Sequence, residues 1–225
     1  MGRPAKTRQR IAAEGTQRAI IEAATQLFTH HGYHATAIGS IASEAGVAVQ
    51  TIYNSVGSKR EVLSRVLDFA AAGVSAPAPV AQSMREQAER ATNPGQILDE
   101  LVEFWRGALP RTAPIFRVIR EAAASDPAVA ALERKRSLQR LRNYGEAAGL
   151  LAERGVLRAA LTIDDAAATI FAIGHPETYR SLVLDGEWEE GRWATWARDA
   201  LGTALLQPPR TRQNGEGGIR TLERG

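Results

Sequence analysis

The chain has 225 residues, with 28 Lys/Arg, 25 Asp/Glu, 44% hydrophobic residues and no cysteine. That much apolar side chain can bury a core and excludes a wholly disordered polymer, and the lack of cysteine excludes disulfides and thiolate metal sites. No apolar run reaches spanning length and MGRPAKTRQRIAAEG lacks the apolar stretch of a secretory signal, so a soluble cytoplasmic protein with no membrane contact is expected.

Charge is spread unevenly. Residues 1–65 hold eight Lys/Arg against four Asp/Glu, and residues 66–206 hold sixteen against nineteen. A basic head on a neutral-to-acidic body suits nucleic-acid binding. Residues 1–15, with Arg3, Lys6, Arg8 and Arg10 among Gly and Pro, read as a flexible basic arm for phosphates or a minor groove, or else as a solvated tail. Thr16 is then placed to cap a helix running to about His31, with Ile20, Ala24, Leu27 and Phe28 as its apolar stripe. Gly32 stops it.

The stretch Thr36–Lys59, TAIGSIASEAGVAVQTIYNSVGSK, organises the rest. Thr36 is a candidate N-cap, because its hydroxyl can accept from an orphan backbone N–H. Ile38, Ile41, Ala42 and Ala45 recur at helical spacing, and Gly46 stands where the helix must turn in a left-handed conformation. Val47 and Ile52 can pack back, leaving Val49, Gln50, Thr51, Tyr53 and Asn54 outward. Two short helices crossing at a glycine turn form a helix-turn-helix, whose second helix fits the major groove of DNA.

Thr36, Ile41-Ala42, Ala45-Gly46-Val47, Thr51-Ile52-Tyr53 and Gly57-Ser58-Lys59 together resemble the DNA-binding domain of TetR-family transcriptional regulators. The close resemblance covers residues 16 to 65, and a weaker one runs to about Leu206. It implies that Thr36, Thr51, Tyr53 and Lys59 grip phosphates while Val49 and Gln50 lie nearest the bases. The family commonly has Ser-Lys where Ala48-Val49 stand here, and a Tyr-His-Phe-like run where Asn54-Ser55-Val56 stand. Ala48, Asn54 and Ser55 therefore join the candidate DNA surface with residues of this chain's own.

Ser58 and Glu61 match a capping box for the next helix, which runs to about Ala71 with Val62, Leu63, Val66, Leu67 and Phe69. Residues 16–72 are the expected DNA-binding domain. GVSAPAPV, residues 73–80, is the expected hinge. Residues 73–206 then read as an all-α regulatory and dimerisation domain. Asn93-Pro94 starts a helix that is expected to end near Pro110, with a separate one around Ile115, Phe116, Val118 and Ile119. Asp126-Pro127 starts a long helix to about Arg154. Thr162 caps another, which Pro176 interrupts, and the last spans about Glu190 to Leu206. The Gly-, Arg- and Pro-rich residues 207–225 read as a disordered tail, or as a basic arm adding weak DNA affinity.

No catalytic constellation is present. His30, His31, His34 and His175 have no metal-ligand partner at helical spacing, the run Glu133-Arg134-Lys135-Arg136 reads as a solvated face, and no cofactor is expected. A bundle cavity lined by aromatics with a few polar anchors would suit a small molecule, and Trp105, Phe116, Arg120, Tyr144, Phe171 and His175 are its candidates. The resemblance also implies that the last two long helices pair with those of a second subunit. Ile163, Ala167, Ile170, Trp193, Trp196, Ala200, Leu201 and Ala204 are the candidates for that interface. The expected protein is a ligand-responsive homodimer on a palindromic DNA operator, with repression the family's usual mode. The other reading is a small-molecule-binding helical sensor or carrier without specific DNA binding.

Overall fold

The structure is a computed structural model that describes residues 3–72, 86, 90–91 and 93–208, with side chains from Arg10 onward. The expected hinge at 73–80 and the tail beyond Pro208 lie outside the described residues. Nine α-helices carry the described fold, and the only extended pairing among these residues is a single bridge between Leu157 and Leu206.

The first helix, α1, spans Arg3–Ala35, so most of the expected flexible arm is helical. Thr16 does not cap it. Its hydroxyl bonds back to the Ala12 carbonyl at 3.0 Å, and the pairs Arg10–Glu14 and Arg18–Glu22 stand at the i,i+4 spacing that supports a helix. Ile20, Ala24 and Phe28 are its fully buried stripe. Gly32, at φ 78, kinks its last turn.

Next come α2 (Ile38–Glu44), α3 (Val49–Ser55) and α4 (Lys59–Ala72). Gly46 joins α2 to α3 at φ +66, a conformation in which any Cβ would be strained. Ile41, Ile52, Val62 and Leu63 are fully buried against α1. Each such side chain contributes about 1.5–3 kcal/mol. Ser58 and Glu61 form the expected capping box: the Ser58 N–H donates to the Glu61 carboxylate at 2.7 Å, and the Glu61 N–H to Ser58 Oγ at 3.4 Å.

The body follows. α5 (Pro94–Ala123) is one helix of 30 residues, not two. Pro110 and Pro114 each remove one ladder donor without ending it, because it is buried on both sides of them. Residues from Ile97 to Ala113 pack in the body core, and Ile115, Phe116, Val118 and Ile119 pack in the head core. The helix therefore threads both cores, with Pro110 inside the body stretch and Pro114 at the join. α6 (Pro127–Glu153), α7 (Ile163–Ile173), the short α8 (Pro176–Tyr179) with a π-helical turn at Arg180–Leu184, and α9 (Glu190–Leu205) complete the bundle. Asn93, Asp126 and Thr162 cap α5, α6 and α7 through their side chains, as their Asn-Pro, Asp-Pro and Thr-x-x-Asp patterns suggest. Among the described residues, no helix is long and apolar enough to cross a membrane.

Candidate nucleic-acid interface and ligand cavity

On α3, Ile52 points inward and Ala48, Val49, Gln50, Tyr53 and Asn54 are exposed. Tyr53 is 50% exposed and Val49 42%, which sets both rings and methyls against solvent rather than core. Gln50 Nε2 donates to Asn54 Oδ1 at 2.9 Å, so one amide steadies the other on the open face. Thr51 and Ser55 are half-buried at the edge, and the Ser55 hydroxyl is engaged by the Thr51 carbonyl. The Ser55 carbonyl accepts from Gln17 Nε2 at 2.8 Å, which ties α3 to α1.

Thr36 and Lys59 both make contacts within the head. Thr36 is 2% exposed, and its hydroxyl donates to the carbonyls of Gly32 at 2.8 Å and Leu27 at 3.2 Å. It closes the kinked end of α1 and is not the cap of α2. The cap position of α2 is held by Ala37, with no side-chain bond. Lys59 donates from Nζ to the Thr36 carbonyl at 2.7 Å and lies 4.3 Å from the centre of the Tyr33 ring. Partial burial lowers its pKa, and the Asp126 carboxylate works against that shift. Lys59 thus pins the turn into α2 from the start of α4 and keeps its charge beside the α3 face.

A cavity of about 520 Å³ lies between α4, α5, α6 and the turn at Gly174–Pro176. Of the six ligand candidates, Trp105, Phe116 and Tyr144 line it. Trp105 Nε1 donates to the Tyr144 hydroxyl at 3.0 Å, and the two rings meet edge to face. Burial raises the Tyr144 pKa, so the phenol stays neutral. Arg120, Phe171 and His175 lie outside the lining. Arg120 is more than half exposed and sits 3.7 Å from Glu133 and 3.8 Å from Glu177. His175 turns Nδ1 to accept from the Glu177 N–H at 3.1 Å. Burial and the nearby Arg140 and Arg120 hold its pKa down at about 4.

Arg65, Arg136 and Arg140 also line the cavity and were not among the candidates. Arg136 is not on a solvated face: Nη2 donates to Ser64 Oγ at 2.6 Å and Asp68 at 2.8 Å, joining α6 to α4. Arg140 stands over the Phe116 ring at 4.4 Å and the Phe171 ring at 4.9 Å. The available signal was Arg136, Arg140 and Tyr144 at intervals of four, one stripe of α6 continuing into Ala148 and Leu151, both fully buried.

The interface candidates divide in two. Trp193 and Leu201 are fully buried within the chain, as is Ile170, and Ala167 is 3% exposed. These four build the body core and present nothing to a second chain. Ile163, at 45% exposure, and the half-buried Trp196, Ala200 and Ala204 face out. A shallow groove on α9 joins the last three to Trp188 and Arg192. The helical spacing in α9 was read correctly, but periodicity does not tell which apolar stripe meets its own chain.

Residues 20–66 match the family model of the bacterial regulatory proteins, tetR family. A comparison with curated proteins finds no match. Among solved structures, a TetR family transcription regulator from Marinobacter aquaeolei VT8 superposes at TM-score 0.58 and 20% identity, covering 89% of this chain and 100% of that one. NalD, the secondary repressor of the MexAB-OprM multidrug efflux pump in Pseudomonas aeruginosa, superposes at 0.66 and 18% identity, over 87% and 98%. SmeT in complex with triclosan superposes at 0.66 and 17% identity, over 93% and 98%. Residues 20–66 thus carry the DNA-binding domain of the tetR family, and the described chain shares the fold of these solved structures.

Proposed function

We propose that the chain is a ligand-responsive repressor that acts in the cytoplasm as a homodimer on a palindromic operator. A head over residues 16–72 carries the DNA surface and a body over residues 73–206 carries the ligand site and the dimer contact. Ala48, Val49, Gln50 and Asn54 meet base edges, and Thr51, Tyr53 and Lys59 meet phosphates. A single head reads few bases, and a two-fold pair presents two α3 helices to successive major-groove faces, roughly 34–36 Å apart.

One observation carries the coupling. The cavity is walled on one side by Arg65, Leu67, Asp68 and Ala71 of α4, and on the other by α5 and α6 of the body. The same α4 begins with Lys59, which holds the turn into α2. A ligand that fits the cavity only when α4 is displaced favours one head spacing, and DNA of fixed spacing favours the other. Each then weakens the other's binding by the same factor. The likeness in fold to a repressor and to a protein solved with triclosan agrees with this reading.

Selection of bound fragments from the source genome tests it. The expected product is a palindrome with half-sites one helical turn apart, bound with an affinity that falls steeply with salt. Fragments bound without sequence preference would overturn the proposal.

A further inference from the structure

Among the described residues, the body holds a cation without a counter-ion. Arg140 lines the cavity, and its Nε and Nη2 are buried with no hydrogen-bond partner among the described residues. The nearby carboxylates are committed elsewhere. Asp68 is bonded to Arg136 at 2.8 Å, and Glu133 pairs with Arg120 at 3.7 Å. Phe116 and Phe171 offer ring faces to the guanidinium but no acceptor. Leaving buried donors of a charged group unmade is costly, and arginine cannot shed its proton to escape.

The two orphan nitrogens belong to one edge of the guanidinium. That edge is the one that receives a carboxylate side-on, with two parallel N–H···O bonds. Around it the lining is largely apolar, including Leu67, Phe104, Trp105, Ala108 and Leu109. The charged side chains of the lining are Arg65, Arg136 and Arg140 against Asp68 alone, so the site favours negative charge. One further donor stands close by. The Tyr144 hydroxyl accepts from Trp105 Nε1, and its own proton is donated to no group among the described residues.

We propose that the cavity takes an apolar carboxylic acid, with its carboxylate on Arg140 and its hydrocarbon or aryl body against Trp105 and Phe104. The orphan edge is buried at the wall, so a carboxylate reaches it when the Arg140 side chain turns toward the cavity that it lines. A carboxylate, with two oxygens in one plane, suits one guanidinium edge. The inference rests on reading this cavity as the ligand site of the proposed repressor.

The test uses the full chain and two matched series: decanoate, decanol and decyl phosphate; and 4-phenylbutyrate, 4-phenylbutanol and 4-phenylbutyl phosphate. Binding is followed by calorimetry and by tryptophan fluorescence. In at least one series the carboxylate should bind ten-fold or more tightly than the alcohol and more tightly than the phosphate. Arg140→Met should abolish that preference and leave alcohol affinity within two-fold. If Arg140→Met fails to fold, the comparison within the unaltered protein still decides. Equal binding of acid and alcohol, preference for the phosphate, or no binding by any member overturns the proposal. Release of operator DNA is scored separately. An acid that binds without releasing DNA leaves the carboxylate site standing and removes the effector reading, and an alcohol that releases DNA as well as the acid does the reverse.

Discussion

Gly174 lies against the indole of Trp105, with no room for a Cβ between them. Its φ of −83° is ordinary, so space and not backbone conformation demands glycine here. Trp105 is 1% exposed, packs on Trp193 at 6.3 Å between ring centres, and donates to Tyr144. The contact therefore fixes α5, α6, α7 and α9 around one ring that also walls the cavity. Gly174→Ala should push that ring out of its well and destabilise the chain by about 1–3 kcal/mol, the range for overpacked cores. Denaturant unfolding followed by tryptophan emission would measure it. Unchanged stability and spectrum would mean the ring has slack that the packing does not suggest.

The α3 face separates two kinds of DNA contact. Tyr53→Phe removes a hydroxyl expected on a phosphate, so affinity for operator and for scrambled duplex should fall by similar factors. Gln50→Ala should instead relax the preference at one half-site position by about 1–3 kcal/mol. It also frees Asn54, its partner at 2.9 Å, so a modest loss at the neighbouring position is expected. Titrations on single-position operator variants at two salt concentrations distinguish the two. A Gln50→Ala protein with uniformly lower affinity and intact preference moves that residue to the phosphate class.

Much of the head was legible because its signals are local. Gly46 needs a left-handed turn, Ser58 and Glu61 cap each other within three residues, and Ile41 and Ile52 sit at helical intervals. What was misread depends on partners distant in sequence. Thr36 looks like a cap, yet its hydroxyl is taken by the end of α1. Pro110 looks like a stop, yet α5 continues because the helix is buried before and after it, in the body core to Ala113 and in the head core from Ile115. Arg136 looks like surface charge, and only the packing of α6 on α4 brings it to Ser64 and Asp68. Leu201 and Trp196 belong to one amphipathic helix, and sequence period alone does not say which faces the protomer's own core.

His175 makes stability depend on pH. Its folded pKa of about 4 lies below the usual value of 6.5, chiefly through burial and then through Arg140 and Arg120. The unfolded chain therefore binds a proton that the folded chain refuses between these values. Stability is complete above about pH 6.5 and is lost as pH falls towards 4. Discounted for the ring's partial exposure, the effect is about 1–2 kcal/mol. His175→Asn can still accept from the Glu177 N–H and should flatten the slope of Tm against pH across that window. A slope that is the same in both proteins would assign the acid sensitivity to other groups.

The dimer prediction rests on the two faces of α9. Leu201 is fully buried among Trp105, Ile170 and Trp193 in the body core, so Leu201→Glu places a charge where it has no partner. That variant should unfold and says nothing about assembly. Trp196 is different. It is half-buried, stacks edge to face on Trp188 at 6.1 Å, and borders the groove that Ala200 and Ala204 continue. Small residues beside a large aromatic allow two helices to approach while one ring supplies central buried area. In a two-fold contact each substitution enters the interface twice, so Trp196→Glu brings two carboxylates together. The expected result is a monomer by light scattering, with helical content unchanged and thermal stability close to that of the unaltered chain at equal protomer concentration. Its affinity for the full palindrome should drop to that for a single half-site. A Trp196→Glu protein that remains dimeric and holds the palindrome at full strength would place the second copy on another face, and Ile163 on α7, 45% exposed, is the next residue to substitute.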